Sequence, residues 1–442
     1  MSLVPFGFWA ASGAGALSYW LATLGNSENN KGWGVATDSG NNLYALGTTL
    51  DIGAPENSLL LAKYDPFGSV QWQRTLSDSL QEEGLSVGVD SSDNVYVTGY
   101  TQSQGAGSLD LLVAKYNSSG TNQWQRILGG ASNDIAYAID FDSSDNVYVT
   151  GDTNSQGAGG ADFLIAKYNS SGTIQWQRIL GGSNTDSARS VKLDSSSNVY
   201  VVGQTESTGA GGADFLIAKY NSSGTIQWQR ILGGAGYDAG RSVAIDSSDN
   251  VYVFGYTSSQ GAGSYDFLLA KYNSSGTIQW QNVLGGSTYD FGQSVAIDSS
   301  DNVYVVGQTN STGAGSYDLV LAKYNSSGTI QWQRILGGAG NDVGYYLTID
   351  ALDILCVIGY TASTGAGNDD FLTAHLPSDG SLTGTYVLDG VDFVYAASTL
   401  TAATSTLTAA TSSLTAATST LTAATSTLTD ASASLTSHLV EL

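Results

Sequence analysis

Positive charge is scarce in this chain. Lys and Arg together number 15 against 39 Asp and Glu, a net charge of −24 over 442 residues. A protein that grips nucleic acid needs a basic footprint, so the composition argues against that class and against an anionic membrane surface. Cysteine is reduced to Cys356, which rules out a disulfide within the chain and fits no zinc-ligand spacing. It stands where other copies of a repeat carry Tyr, so it reads as a small core residue, with no metal implied. Histidine occurs only as His375 and His438, leaving a Ser-His-Asp arrangement almost without candidates. No apolar run reaches the ~18 residues of a membrane-spanning helix. The apolar start has no basic residue before Lys31, which argues against a secretory signal.

What the chain does have is a repeat. Trp20, Trp72, Trp124, Trp176, Trp228, Trp280 and Trp332 stand 52 residues apart without an insertion or deletion, and Tyr44, Tyr96, Tyr148, Tyr200, Tyr252 and Tyr304 keep the same step. Each copy holds four strand-like runs, typified by QWQRIL, RSVAID, NVYVFG and DFLLAKY, rich in Val, Ile, Tyr and Phe. Between them lie turn-forming clusters of Gly, Asn, Asp and Ser. Four strands per ~50 residues predict a propeller blade, and closing the blades into a ring removes most sheet edges. Seven blades over 16–390 are expected. Two closures stay open: the strand at Trp20 completes the last blade, or the Trp-less eighth copy at Gly384 does.

The segments DSSDNVYVTGYT (90–101) and DSSDNVYVTGDT (142–153) resemble the bacterial β-propeller repeats called SBBP. The resemblance covers about four fifths of the chain. It implies the propeller fold and a setting among bacterial surface and secreted proteins or phage structural proteins; it identifies no active site. The opening VPFGFWAASGAG is similar to the N-termini of structural proteins in tailed phages, which implies that residues 1–15 dock onto other virion proteins.

After a linker at 391–399 the composition changes. Leu400, Leu407, Leu414, Leu421, Leu428, Leu435 and Leu442 recur every seven residues, each followed three residues later by Ala through 431. Leu and Ala at the a and d positions of a heptad predict an α-helical coiled-coil stalk over 400–442. A strand is excluded on this reading, because an odd period would swap the Leu between faces at every copy. The stalk predicts a homo-oligomer, with a homotrimer the leading expectation. The alternative is a disordered, Thr-rich tail.

Candidate chemistry is thin, and no cofactor is implied. Asp134, Asp186, Asp238, Asp290 and Asp342 form one recurring carboxylate series; Asp110, Asp162, Asp214, Asp266, Asp318 and Asp370 form another. A glycosidase needs one special pair, whereas these recur in blade after blade, as turn caps do. The DSSDN segments lack the ligand spacing of a calcium loop and read as Asx turns. Loops vary mainly on the face carrying the Gly-Gly turns, where Tyr237, Tyr265, Tyr289 and Tyr317 adjoin Asp. They suit stacking against sugar rings, although packing over a blade edge is the plainer reading. The expectation is a non-enzymatic virion protein, a phage tail or head fibre whose propeller contacts a host-surface glycan. A secreted bacterial adhesin or matrix protein and a glycan-cleaving enzyme are the rivals.

Overall fold

The computed structural model describes residues 18–50, 57–365, 368–410, 412, 414–418, 421–425, 429–432 and 436–442. Seven sheets radiate from one axis, and the described residues contain no helix. In a representative blade, Asp186–Leu193 is innermost, followed by Val199–Thr205, Asp214–Tyr220 and Ile226–Gly233, all antiparallel. The two middle strands are buried on both faces, which explains why they read as apolar runs rather than alternating ones. The ring closes through the N-terminus. Trp20–Gly25 pairs antiparallel with Asp370–Pro377, with Trp20 opposite His375, and supplies the fourth strand of the last blade.

Each Trp-Gln-Arg segment is a rivet to the next blade. Trp228 Nε1 donates to the Ser274 carbonyl at 3.2 Å and Arg230 Nε to that of Gly276 at 2.7 Å. The Trp228 ring lies against Gly276, whose φ of +76° closes the NSSG turn. Any side chain there would press a methylene onto the indole.

The C-terminal segment corrects the expected architecture: it forms no coiled-coil stalk. It is a belt that travels round the rim and adds a fifth strand to the outer edge of blade after blade. The Gly384–Leu388 and Val391–Ala397 hairpin starts it on Ile330–Gly337. Thr401–Thr404, Thr408–Ala410, Thr415–Thr418, Thr422–Thr425, Thr429–Ser432 and Thr436–Glu441 follow, each on the preceding blade. The register is locked. Thr401 faces Gly285, Thr408 faces Gly233, Thr415 faces Gly181, Thr422 faces Gly129, Thr429 faces Ser77 and Thr436 faces Gly25. Seven residues forward in the belt equal 52 backward in the propeller.

The oddness of seven therefore excludes nothing. The tail is not one strand but a chain of three- to six-residue strands broken at every blade, so Leu400, Leu407, Leu414 and Leu421 return to equivalent sites by rotation about the propeller axis. Leu400, Leu407, Leu414 and Leu421 are 5–9% exposed and join the interblade cores. Leu442 is half-buried against the cluster at the ring closure, while Leu428 and Leu435 lie outside the described residues, as does the 1–15 peptide. The described part of the seam on which a trimer was expected is thus used within one chain.

The Gly-Gly pairs make room for this. A Cβ on Gly233 would sit 1.6 Å from Asp214 Oδ1, and one on Gly234 would meet Ser259 and, at 3.1 Å, Leu407 of the belt. Directly after the Trp, the glutamine faces outward to the belt. Gln333, Gln281, Gln229 and Gln177 donate Nε2 to the carbonyls of Leu400, Leu407, Leu414 and Leu421 at 2.8–3.1 Å.

Candidate functional site: the axial cavity and its aromatic arc

The recurring carboxylates are structural in their contacts. In the DSSDN turns, Asp246 Oδ1 accepts the Ser248 and Asn250 amides, while Oδ2 accepts Asn250 Nδ2, the Tyr252 hydroxyl and the Lys271 ammonium at 3.2 Å. These are Asx turns built round a buried acid. Asp238 Oδ2 caps the Gly234 amide and accepts the Ser259 hydroxyl, and Asp214 Oδ2 accepts the Ala210 amide. Asn273 holds the NSSG turn through the Ser275 and Thr277 amides.

Chemistry that differs from blade to blade sits at the axis. Every innermost strand carries a β-bulge at the same place, for example between Ala188 and Ser190, and between Gly240 and Ser242. The extra residue has no cross-strand partner and turns toward the axis, as bulges do at functional rims. The seven bulged residues are Trp33, Leu85, Tyr137, Arg189, Arg241, Gln293 and Tyr345, and together they line a cavity of about 550 Å³. A nearly uniform repeat thus presents two cations, three aromatics, an amide and an alkyl group around one space.

The two guanidinium groups are held ready. Arg189 lies 3.9 Å from the Tyr137 ring centroid and 3.6 Å from Asp152 Oδ2. Arg241 Nη2 donates to the Tyr256 hydroxyl at 2.6 Å. Yet Arg189 Nε and Nη1 and Arg241 Nε make no hydrogen bond although buried. Burial pushes the Asp152 carboxyl up to about 6, against the pull of Arg189, Ser187 and the Ala188 amide. Trp33 and Tyr345 pack ring to ring at 4.4 Å on the opposite wall.

The tyrosines expected from the loops converge on this place. Tyr237 meets Tyr265 at 6.3 Å, Tyr265 stacks on Tyr289 at 6.0 Å, and Phe291 links them to Tyr317 at 6.5 Å. Tyr256 stacks on Tyr237 and joins the arc to Arg241. Tyr289 is 40% exposed. The arc therefore runs from the rim of the variable face to the cavity. The bulged residues escaped the sequence reading because a bulge breaks the period-two alternation; the available signal was that this column differs in nearly every copy.

A second group escaped it as well. Asp350, Cys356 and His375 converge in the last blade, their ligand-type atoms within 4.8 Å of one another.

Comparison with known proteins supports the repeat. Residues 123–157, 175–209, 227–261 and 280–313 match the SBBP β-propeller repeat, and 247–278 and 299–330 match a β-propeller domain of unknown function. The chain carries SBBP repeats over those segments. It is 22% identical to an uncharacterized WD repeat-containing protein of Acanthamoeba polyphaga mimivirus, over 85% of this chain and 33% of that one. It is 24% identical to the regulatory protein FlaEY of Caulobacter vibrioides, over 65% of this chain and 31% of the other. The chain thus spans about a third of the length of these relatives. Among solved structures, a polysaccharide lyase aligns with a TM-score of 0.48 at 7% identity, covering 86% of this chain and 94% of its own. That degree of likeness carries no argument about activity.

Proposed function

We propose that this propeller is a non-enzymatic recognition module that binds an acidic glycan at the axial cavity, with the tyrosine arc receiving neighbouring sugars. The observation that supports it is the ring of seven bulged side chains, which differ from blade to blade and gather around one cavity. Sugar rings stack on aromatic faces, and a uronate or sialate carboxylate suits the paired donors of Arg189 and Arg241. The repeated carboxylates each hold a turn through one oxygen and do not line the cavity, which favours binding over hydrolysis.

The setting we propose is a virion appendage, a tail or head fibre that touches the host surface, where many copies multiply weak contacts. Calorimetric titration of the full chain with acidic and neutral oligosaccharides tests the binding. Arg241→Ala is expected to weaken the acidic ligand at least tenfold, about 1.4 kcal/mol, and Tyr289→Ala to weaken only ligands long enough to reach the rim. Equal affinity for neutral and acidic sugars would sink the assignment. Release of new reducing ends would return the enzyme reading, and the protein on cells free of phage would favour the adhesin.

A further inference from the structure

Six blades build the same acid-centred cluster. Asp38, Asp90, Asp142, Asp194 and Asp246 each receive an Asn amide, a Tyr hydroxyl and a Lys ammonium on Oδ2; Asp298 receives the first two, with Lys323 at 4.0 Å. The last blade keeps the acid and changes all three donors at once. Ile354 replaces the Asn, Cys356 the Tyr and His375 the Lys. We propose that Asp350, Cys356 and His375 form a site for a divalent transition-metal ion, Zn²⁺ in class, at the seam where the ring closes.

The hydrogen bonds assign the imidazole. His375 Nδ1 lies 2.6 Å from the Ser18 carbonyl oxygen, which only accepts, so Nδ1 carries the proton. In the neutral imidazole Nε2 then turns its lone pair toward Asp350 Oδ2, 3.2 Å away. Two acceptors would then face each other, and either a second ring proton or a metal ion between them relieves the clash. Ligands of a tetrahedral Zn²⁺, with metal bonds of about 2.0–2.2 Å, stand roughly 3.3 Å apart, so the spacing fits a shared ion. A backbone carbonyl on the outer nitrogen is the usual brace of a metal-bound histidine. Asp350 Oδ1 is already occupied by the Leu352 and Ile354 amides, which leaves Oδ2 for the ion. Cys356 and His375 are cross-strand partners, and all three residues are 5% exposed or less. A borderline-soft ion suits the mixed oxygen, nitrogen and sulfur set, and the Cys356 thiol gives up its proton as the ion enters.

The location gives the ion a structural task. Trp20 stacks on His375 at 5.5 Å, and Ser18 lies two residues before the closing strand. Metal binding would therefore tie the N-terminal strand to the last blade.

The competing arrangement is a doubly protonated His375 paired with Asp350, standing in for the lysine. Cobalt separates the two. The full chain, stripped with chelator, is titrated with Co²⁺ alone and followed by absorbance. One equivalent is expected, with a thiolate-to-cobalt charge-transfer band that Cys356→Ser abolishes. A triple variant, Ile354→Asn with Cys356→Tyr and His375→Lys, restores the cluster of the other blades and is expected to fold without metal. Chelator should lower the Tm of the parent by several degrees and leave the triple variant unmoved. Absence of the band, or equal responses of parent and triple variant to chelator and Zn²⁺, overturns the site and leaves the ion pair.

Discussion

Between Trp228 and Arg230, two residues fasten one blade to the next while Gln229 reaches the other way, to the belt. The same economy governs Asp246, whose two oxygens serve the turn and three side-chain donors. Replacing it with Ala strands the fully buried Tyr252 hydroxyl and removes the carboxylate that pairs with Lys271, leaving that ammonium the Ser326 carbonyl. Loss of such a charge-assisted cluster is expected to cost about 3–5 kcal/mol. Denaturant midpoints of Asp246→Ala checks this against Ser248→Ala, whose side chain is not part of the cluster and which should stay within about 0.5 kcal/mol of the parent. The core roles of Trp and Tyr were legible from the 52-residue step, because packing must repeat when blades do. Arg189 and Arg241 were not, since their importance comes from a backbone bulge that no residue type announces.

At the scale of elements, the belt addresses the edge left on every four-stranded blade. An outer strand with unpaired amides invites pairing with another chain, and the tail satisfies those groups in advance. Some of this was readable. Thr and Ser fill most of each heptad and favour strands over helices, and the tail has seven heptad leucines for seven blades. The period of seven resembled a coiled coil because a heptad repeat is diagnostic of a helix only when helix rotation generates it; here blade rotation does. The register lock makes a sharp prediction. Deleting Thr406 alone slips the belt by one residue and reverses its side chains, taking Leu from its pocket on one side of the cut. Deleting residues 401–407 keeps register and leaves one blade uncapped. The seven-residue deletion should therefore be the milder lesion, with a higher Tm and slower proteolysis; the reverse order would refute the lock. Ending the chain at Ser398 should produce concentration-dependent association in light scattering, whereas the full chain should run as a monomer. A trimer that falls to monomers on truncation would restore the assembly role of the tail.

At the scale of the whole molecule, ten buried carboxylates fall into two opposed sets, and their balance contributes to its pH response. Asp38, Asp90, Asp142, Asp194, Asp246 and Asp298 are buried, which resists ionisation, but Asn and backbone contacts, joined by Lys in all but Asp298, outweigh that and hold their carboxyls below the usual range. Their contribution is present above the unfolded value near 4 and fades as pH falls below it. Asp162, Asp214, Asp266 and Asp318 go the other way. Burial, with a second carboxylate of the neighbouring series close by, pushes each up to about 6. Each has one oxygen over a glycine Cα with no hydrogen-bond partner. From pH 4 to 6 the unfolded chain releases protons that these four retain, so stability falls as pH rises through that window. Both sets together place maximum stability near pH 4–5. The net charge of −24 at pH 7 adds repulsion in the same direction, so the parent alone cannot separate the causes. Asp214→Asn with Asp266→Asn does so: an amide lacks the ionisation but fills the same space. Scanning calorimetry is expected to show the parent several degrees more stable at pH 5 than at pH 8, and the double variant with a clearly shallower slope. Parallel slopes would mean that general repulsion, not the ring of buried acids, sets the response.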